Sequence, residues 1–196
     1  MSAEILHTFT VYRGWAKYLV VSARLPDGQV VRREVEDHGR AVAVLPYDPE
    51  RKVAMLVRQF RAPVLMAAGH PELLEAIAGM LDDGSAEACA RREAEEEAGL
   101  RLKTLEPLGS MWTSPGGSTE RMDLYLAAYS EADRVGDGGG VAAEHEHVTI
   151  VEMALGELAG MADRGEVSDM KTFALLQALR LRRPDLFQPP AAEAGT

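Results

Sequence analysis

The sequence predicts a mixed α/β fold of the α+β kind, on three observations. Two pairs of apolar, β-type runs are each joined by turn residues, a central helix has start and stop signals, and two further helical stretches close the chain. Strand runs interleaved with helices pack as layers around a shared core.

The elements follow in order. Residues 17–25 and 29–35 flank Pro26-Asp27-Gly28 and read as a hairpin. A second hairpin joins residues 41–45 to the alternating run 53–58 through Tyr47-Asp48-Pro49-Glu50. Residues 72–77 read as a short strand ending in a loop at Ala78-Gly79. Ser85, after the Asp82-Asp83-Gly84 break, suits the N-cap of a helix over residues 86–98, and Gly99 supplies its stop. Strand-like runs follow at 104–111 and 121–128, and Gly136 with Gly138, Gly139 and Gly140 marks a loop before a strand at 148–151. Helices are expected over 154–164 and 169–181, with a disordered Pro-, Ala- and Gly-rich tail from Gln188.

This divides the chain into an N-terminal β-hairpin layer (1–38), a main domain (39–187) and a tail (188–196). A hairpin layer cannot bury two faces by itself, and a second copy of the chain would cover it, so a homodimer is expected.

Bulk properties exclude several classes. Hydrophobic residues make up 46% of the 196, yet no apolar run approaches the length that crosses a bilayer, and no export signal is read at the N-terminus. The single cysteine, Cys89, makes no internal disulfide and suits a reducing compartment, so a cytoplasmic protein is expected. A net charge of −10 argues against nucleic-acid binding, which neutralises phosphates with Lys and Arg. A phosphate-bearing ligand would need metal ions or a few placed arginines.

The chemistry concentrates in the central helix. Glu93, Glu96 and Glu97 fall at i, i+3 and i+4 on one side of it, where like charges repel. A solvated acidic face is one reading; a metal site is the other. Arg91 and Arg92 stand beside the carboxylates, and the Ala78-Gly79 loop would leave a backbone carbonyl free. Hard cations such as Mg2+ choose carboxylate, carbonyl and water oxygens. His38, His70 and His145 lack the paired spacing of a zinc site, and Cys89 is expected on the buried helix face.

Gly79, five residues, Ser85, six residues and Arg92-Glu93-Ala94-Glu95-Glu96-Glu97-Ala98-Gly99-Leu100 resemble the Nudix box. The second half fits at every defined position. The first half is one residue short and lacks its early Glu, with Ser85 or Gly84 in its place. Ser114-Pro115-Gly116-Gly117-Ser118-Thr119-Glu120 and Arg58-Gln59-Phe60-Arg61 resemble segments of the ADP-ribose pyrophosphatase and GDP-mannose hydrolase branch. Gly138-Gly139-Gly140-Val141, Glu144-His145-Glu146 and the run from Gly165 to Thr172 are most similar to the GDP-mannose hydrolases.

The resemblance implies a Nudix fold, a mixed sheet sandwiched between helices. It implies hydrolysis of the pyrophosphate of a nucleoside diphosphate sugar, GDP-mannose or ADP-ribose, with Mg2+ (alternatively Mn2+). A catalytically inactive nucleotide-sensing module is the competing reading. The implied metal ligands are the Ala78 carbonyl, Glu93, Glu97 and Glu146, with Glu96 in support, Arg92 tying the helix to its surroundings and Glu144 activating water. Arg61 is the implied phosphate contact, because a guanidinium holds two oxygens at once. Arg32, Arg33 and Glu34 are implied at the nucleotide end, Lys171 and His145 at the ligand, and Glu120 at sugar hydroxyls. Trp15 either stacks on a base or anchors the N-terminal layer.

Overall fold

The computed structural model describes residues 2–82, 84–140 and 148–188, arranged in two compact units. Residues 1–41 with 110–123 form the first, and residues 42–109 with 124–196 the second.

The first unit holds an antiparallel sheet of β1 (Glu4–Arg13), β2 (Lys17–Arg24) and β3 (Val30–Asp37), in that order. The expected hairpin is β2–β3, in register from Lys17 opposite Asp37 to Arg24 opposite Val30. Gly28, at φ +89, takes the left-handed turn position, and Asp27 Oδ1 accepts from the Gln29 amide at 3.0 Å. The layer has three strands rather than two. β1 is rich in β-branched and aromatic residues, which suit an extended chain, and it pairs with β2 from Glu4 to Arg13 with register shifts between Ile5 and His7 and between Thr10 and Tyr12. The Ser-Pro-Gly-Gly turn also lies here: the Glu36 amide donates to Gly117 O at 2.8 Å and the Thr119 hydroxyl to Asp37 Oδ1 at 2.8 Å.

The remaining elements are β4 (Arg40–Asp48), β5 (Val53–Phe60), α1 (Ala62–Ala68), β6 (Glu72–Glu75), β7 (Ile77–Met80), α2 (Ala86–Ala98), β8 (Glu106–Trp112), β9 (Arg121–Ala128), β10 (Val148–Ala154), α3 (Leu155–Asp163) and α4 (Met170–Arg182). The larger sheet runs β10-β5-β4-β9-β8, with β6 on β5 and β7 on β4. The α2 cap is as expected: Ser85 Oγ accepts from the Ala88 amide at 3.1 Å, and Gly99 ends the helix at φ +64.

One local expectation is corrected, and one element was not expected. Ala78 and Gly79 are strand residues of β7, not a loop, because the chain breaks one pair earlier, at Ala76, and then resumes pairing with β4. Residues 62–68 form a helix that starts next to Pro63 and ends at Gly69, which takes φ +77. Ala90, Ala94 and Ala98 of α2 pack into a core with Val42, Val44, Met55, Val57 and Ile77. These small side chains bring the helix close to the sheet, and its carboxylates with it. No helix among the described residues is long and apolar enough to cross a membrane.

Candidate active site

On α2, Glu93 and Glu97 share the buried face with Ala90 and Ala94, at only 8% and 2% exposure. Glu96 sits off that face, half-buried, so the three carboxylates split two and one. Arg92 bridges the split: Nη2 lies 2.9 Å from Glu93 Oε1 and Nη1 lies 3.0 Å from Glu96 Oε2. Its second nitrogen is also 3.7 Å from Asp82. Burying two carboxylates one helical turn apart is costly, and their place in the C-terminal half of α2 sets them against the helix dipole. The last turn carries no basic residue.

Gly79 on β7 completes this surface. A Cβ there would lie 2.1 Å from both Cδ and Oε1 of Glu93, so only glycine leaves the carboxylate its place. Two buried carboxylates against a strand backbone are the oxygen donors a hard cation takes. Among the described residues no three His, Cys, Asp or Glu side chains converge as a complete metal set. Glu144, His145 and Glu146 lie outside the described residues. Cys89 is buried beside Glu93, as expected; burial and the neighbouring Glu93 raise its thiol above the ordinary range.

A second cluster surrounds Glu75, an acid that the sequence reading passed over. Glu75 is 1% exposed at the end of β6. Its Oε1 accepts from Arg61 Nε at 2.7 Å and its Oε2 from Arg61 Nη2 at 3.0 Å. Lys171 Nζ also donates to Glu75, and lies 3.1 Å from Asp169 Oδ1. Asp169 caps α4 by accepting from the Thr172 amide at 3.0 Å, and Thr172 Oγ1 accepts from the Ala76 amide at 2.6 Å. Burial works to raise the Glu75 carboxyl, but the hydrogen bonds of Arg61 and the charges of Lys171 and Arg61 outweigh it and hold it below the ordinary range. Burial works against the Arg61 charge too; Glu75, then Glu97 and Asp169, outweigh it and raise the guanidinium. Arg61 thus shares an electrostatic field with Glu97. The available signal was a lone carboxylate in the apolar run Leu73-Leu74-Glu75-Ala76-Ile77, which requires a partner once buried.

The other expected contacts lie in the first unit. Arg32, Arg33 and Glu34 are exposed on β3, where Glu34 Oε2 accepts from the Tyr18 hydroxyl at 2.5 Å. Trp15 is 82% exposed and meets His38 edge-on at 4.7 Å, so it does not anchor the layer by burial. It lines a cleft of about 390 Å³ with Tyr12, Ala16, Lys17, Tyr18 and Glu36. Glu120 is half-buried; its amide donates to Ser118 Oγ at 3.1 Å.

The fold and the α2 carboxylates define a mixed α+β protein with oxygen donors suited to a hard cation, and comparison makes the assignment specific. The NUDIX domain model matches residues 37–185. A GDP-mannose pyrophosphatase of Cronobacter sakazakii is 45% identical over 160 residues, 80% of this chain and 82% of that protein. Proteins of the same description from Klebsiella pneumoniae (40% over 157 residues, 79% and 78%) and Escherichia coli O1:K1 / APEC (37% over 158 residues, 79% and 82%) are also similar. A solved structure described as ADP compounds hydrolase superposes with a TM-score of 0.74 at 20% identity, over 94% of this chain and 96% of that one; this likeness concerns the fold. The chain belongs to the Nudix family, and within it is a hydrolase of the pyrophosphatase kind.

Proposed function

We propose that the chain hydrolyses the pyrophosphate bond of a nucleoside diphosphate sugar, GDP-mannose or ADP-ribose, to a nucleoside monophosphate and a sugar phosphate. The observation that carries this is the pair of buried carboxylates, Glu93 and Glu97, the first of them held against Gly79. The names of the similar proteins support the substrate class, and the Lys171 segment and Gly138–Gly140 favour GDP-mannose.

Nudix hydrolases generally use divalent cations, and here Mg2+ (or Mn2+) would be held by Glu93, Glu97 and the Ala78 carbonyl, with Glu146 from outside the described residues. When bound, such an ion neutralises phosphoryl charge and acidifies the attacking water. Arg92 orients Glu93 and Glu96 through its two ion pairs. Arg61 meets the phosphates, and Glu144 takes the proton of the water that displaces the bridging oxygen from phosphorus. Lys171, held between Glu75 and Asp169, borders the phosphate end. Trp15 stacks on the base, Arg32, Arg33 and Glu34 read the nucleotide end, Glu120 meets sugar hydroxyls, and His145, outside the described residues, contacts the ligand. Exposed Ile5, Phe9 and Val11 on the edge strand β1 support a homodimer, and the free Cys89 supports a reducing, cytoplasmic setting.

The test is a panel of GDP-mannose, ADP-ribose, NADH and diadenosine polyphosphates, assayed with and without Mg2+. Turnover of a nucleotide sugar only with metal supports the proposal; no turnover of any member with metal present overturns it in favour of a sensing module. A monomeric mass by light scattering at micromolar concentration overturns the dimer.

A further inference from the structure

Glu75 is only 1% exposed, yet cations engage both of its oxygens. Its two oxygens take Arg61 Nε at 2.7 Å and Nη2 at 3.0 Å, and Lys171 approaches the same Oε2. The bonds then close a ring: Lys171 to Asp169, Asp169 to Thr172, and Thr172 Oγ1 to the backbone amide of Ala76, the residue after Glu75. A carboxylate inside such a ring has little freedom to rotate, and neither has a guanidinium bound to it on two nitrogens.

A guanidinium carries five N–H bonds in a fixed plane. Glu75 occupies Nε–H and one Nη2–H. The opposite edge, both Nη1 hydrogens and the second Nη2 hydrogen, faces away from Glu75. The Arg61 side chain is 39% exposed, so that edge can be reached from solvent although the carboxylate behind it cannot. It has the fork spacing that binds two oxygens of one phosphate.

We infer that Glu75 is a positioning residue, which fixes the guanidinium plane of Arg61 so that its free edge is presented to the pyrophosphate before substrate arrives. This rests on the reading that Arg61 meets the phosphates. A preset Arg61 contributes to binding without paying the ordering cost of a long flexible side chain on each encounter. Lys171 contributes charge beside Glu75, on the same Oε2 that Arg61 bonds, and steadies the carboxylate.

The experiment is a double-mutant cycle of Glu75→Gln and Arg61→Ala, with Glu75→Asp as a variant that keeps the charge but shortens the reach. KM and kcat are measured on the substrate that the wild-type enzyme turns over. Affinity for the corresponding methylene-bridged nucleoside diphosphate sugar is measured by calorimetry. Glu75→Gln and Glu75→Asp are expected to raise KM and the analogue Kd about tenfold, within the range for coupled groups in one network, with kcat changed less than about threefold. In the Arg61→Ala background the same changes are expected to add less than about twofold. Equal losses with and without Arg61, or a fall in kcat at constant KM, overturn the inference. If Glu75→Gln does not fold, Glu75→Asp alone decides it. The failures are distinct: loss of all turnover by the wild type overturns the proposed activity, whereas the analogue-binding cycle still reads the coupling.

Discussion

Replacing Gly79 with alanine separates the site from the fold. The added Cβ would sit 2.1 Å from Cδ and Oε1 of Glu93 and 2.7 Å from Cγ. To reach ordinary contact near 3.4 Å, the carboxylate must retreat by roughly 1.3 Å. The obstructing atoms are the end of a flexible side chain, not backbone, and Gly79 is absent from the glycines with left-handed φ. The fold therefore yields cheaply, at about 0.5–1.5 kcal/mol for an off-rotamer Glu93. The chemistry does not: a misplacement of about 1 Å in a reacting group costs on the order of a hundredfold in rate. The assay is kcat/KM on the preferred nucleotide sugar across a Mg2+ titration, beside a thermal melt and a Gly156→Ala control, where an added Cβ meets nothing within 4 Å. The expected result is a loss near a hundredfold, a higher half-saturating metal concentration and a small change in Tm. Activity within threefold of wild type and an unchanged metal response would refute the assignment of Glu93.

Ser85→Ala removes the cap bond to the Ala88 amide and should cost about 1 kcal/mol in thermal or urea unfolding, with kcat below the melt nearly unchanged. Gly138→Ala places a Cβ 2.6 Å from Glu97 O at φ +62; since the obstacle is backbone, unfolding should show a loss of roughly 1–3 kcal/mol, with a fall in kcat. Glu75 is held below its ordinary value of 4.5 in the folded protein, so its stabilisation is complete above that pH and is lost as pH falls through the lowered folded value. Melts between neutral and acid pH should therefore show a steeper acid loss for wild type than for Glu75→Gln. Chelation with EDTA should weaken calorimetric binding of the methylene-bridged analogue, not turnover alone.

The α2 boundaries and caps were legible because they are local: a Ser N-cap, a helical run and a Gly stop each act within a turn. Strands β2, β3, β4, β5 and β9 were legible from turn residues and alternation. α1 was not, because seven residues give barely two turns of periodicity and Pro63 reads first as a breaker. β7 was missed because its pairing with β4 is a distant contact that four residues of sequence cannot announce. The same limit hid Glu75, whose partners lie 14 and 96 residues away in the chain. It also kept Arg61 and Lys171 from being seen as parts of one network. For Arg92 a carboxylate pair to the surroundings was expected, whereas its shortest ion pairs are to Glu93 and Glu96 of its own helix.

That network changes how a net charge of −10 bears on an anionic substrate. The cations nearest the candidate chemistry are already engaged: Arg92 by Glu93 and Glu96, Arg61 by Glu75, Lys171 by Glu75 and Asp169. With Asp82, 3.7 Å from Arg92, and Glu97 that makes six carboxylates against three cations, a local net of −3 among the described residues. A pyrophosphate diester, itself a dianion, would be repelled by such a surface at close range. The arginines cannot reverse this, because each is already paired with a carboxylate. Their work is directional: they fix where acids and donors point. The excess negative charge is left for divalent cations, so the protein that would repel its substrate bare is the one suited to bind it with metal.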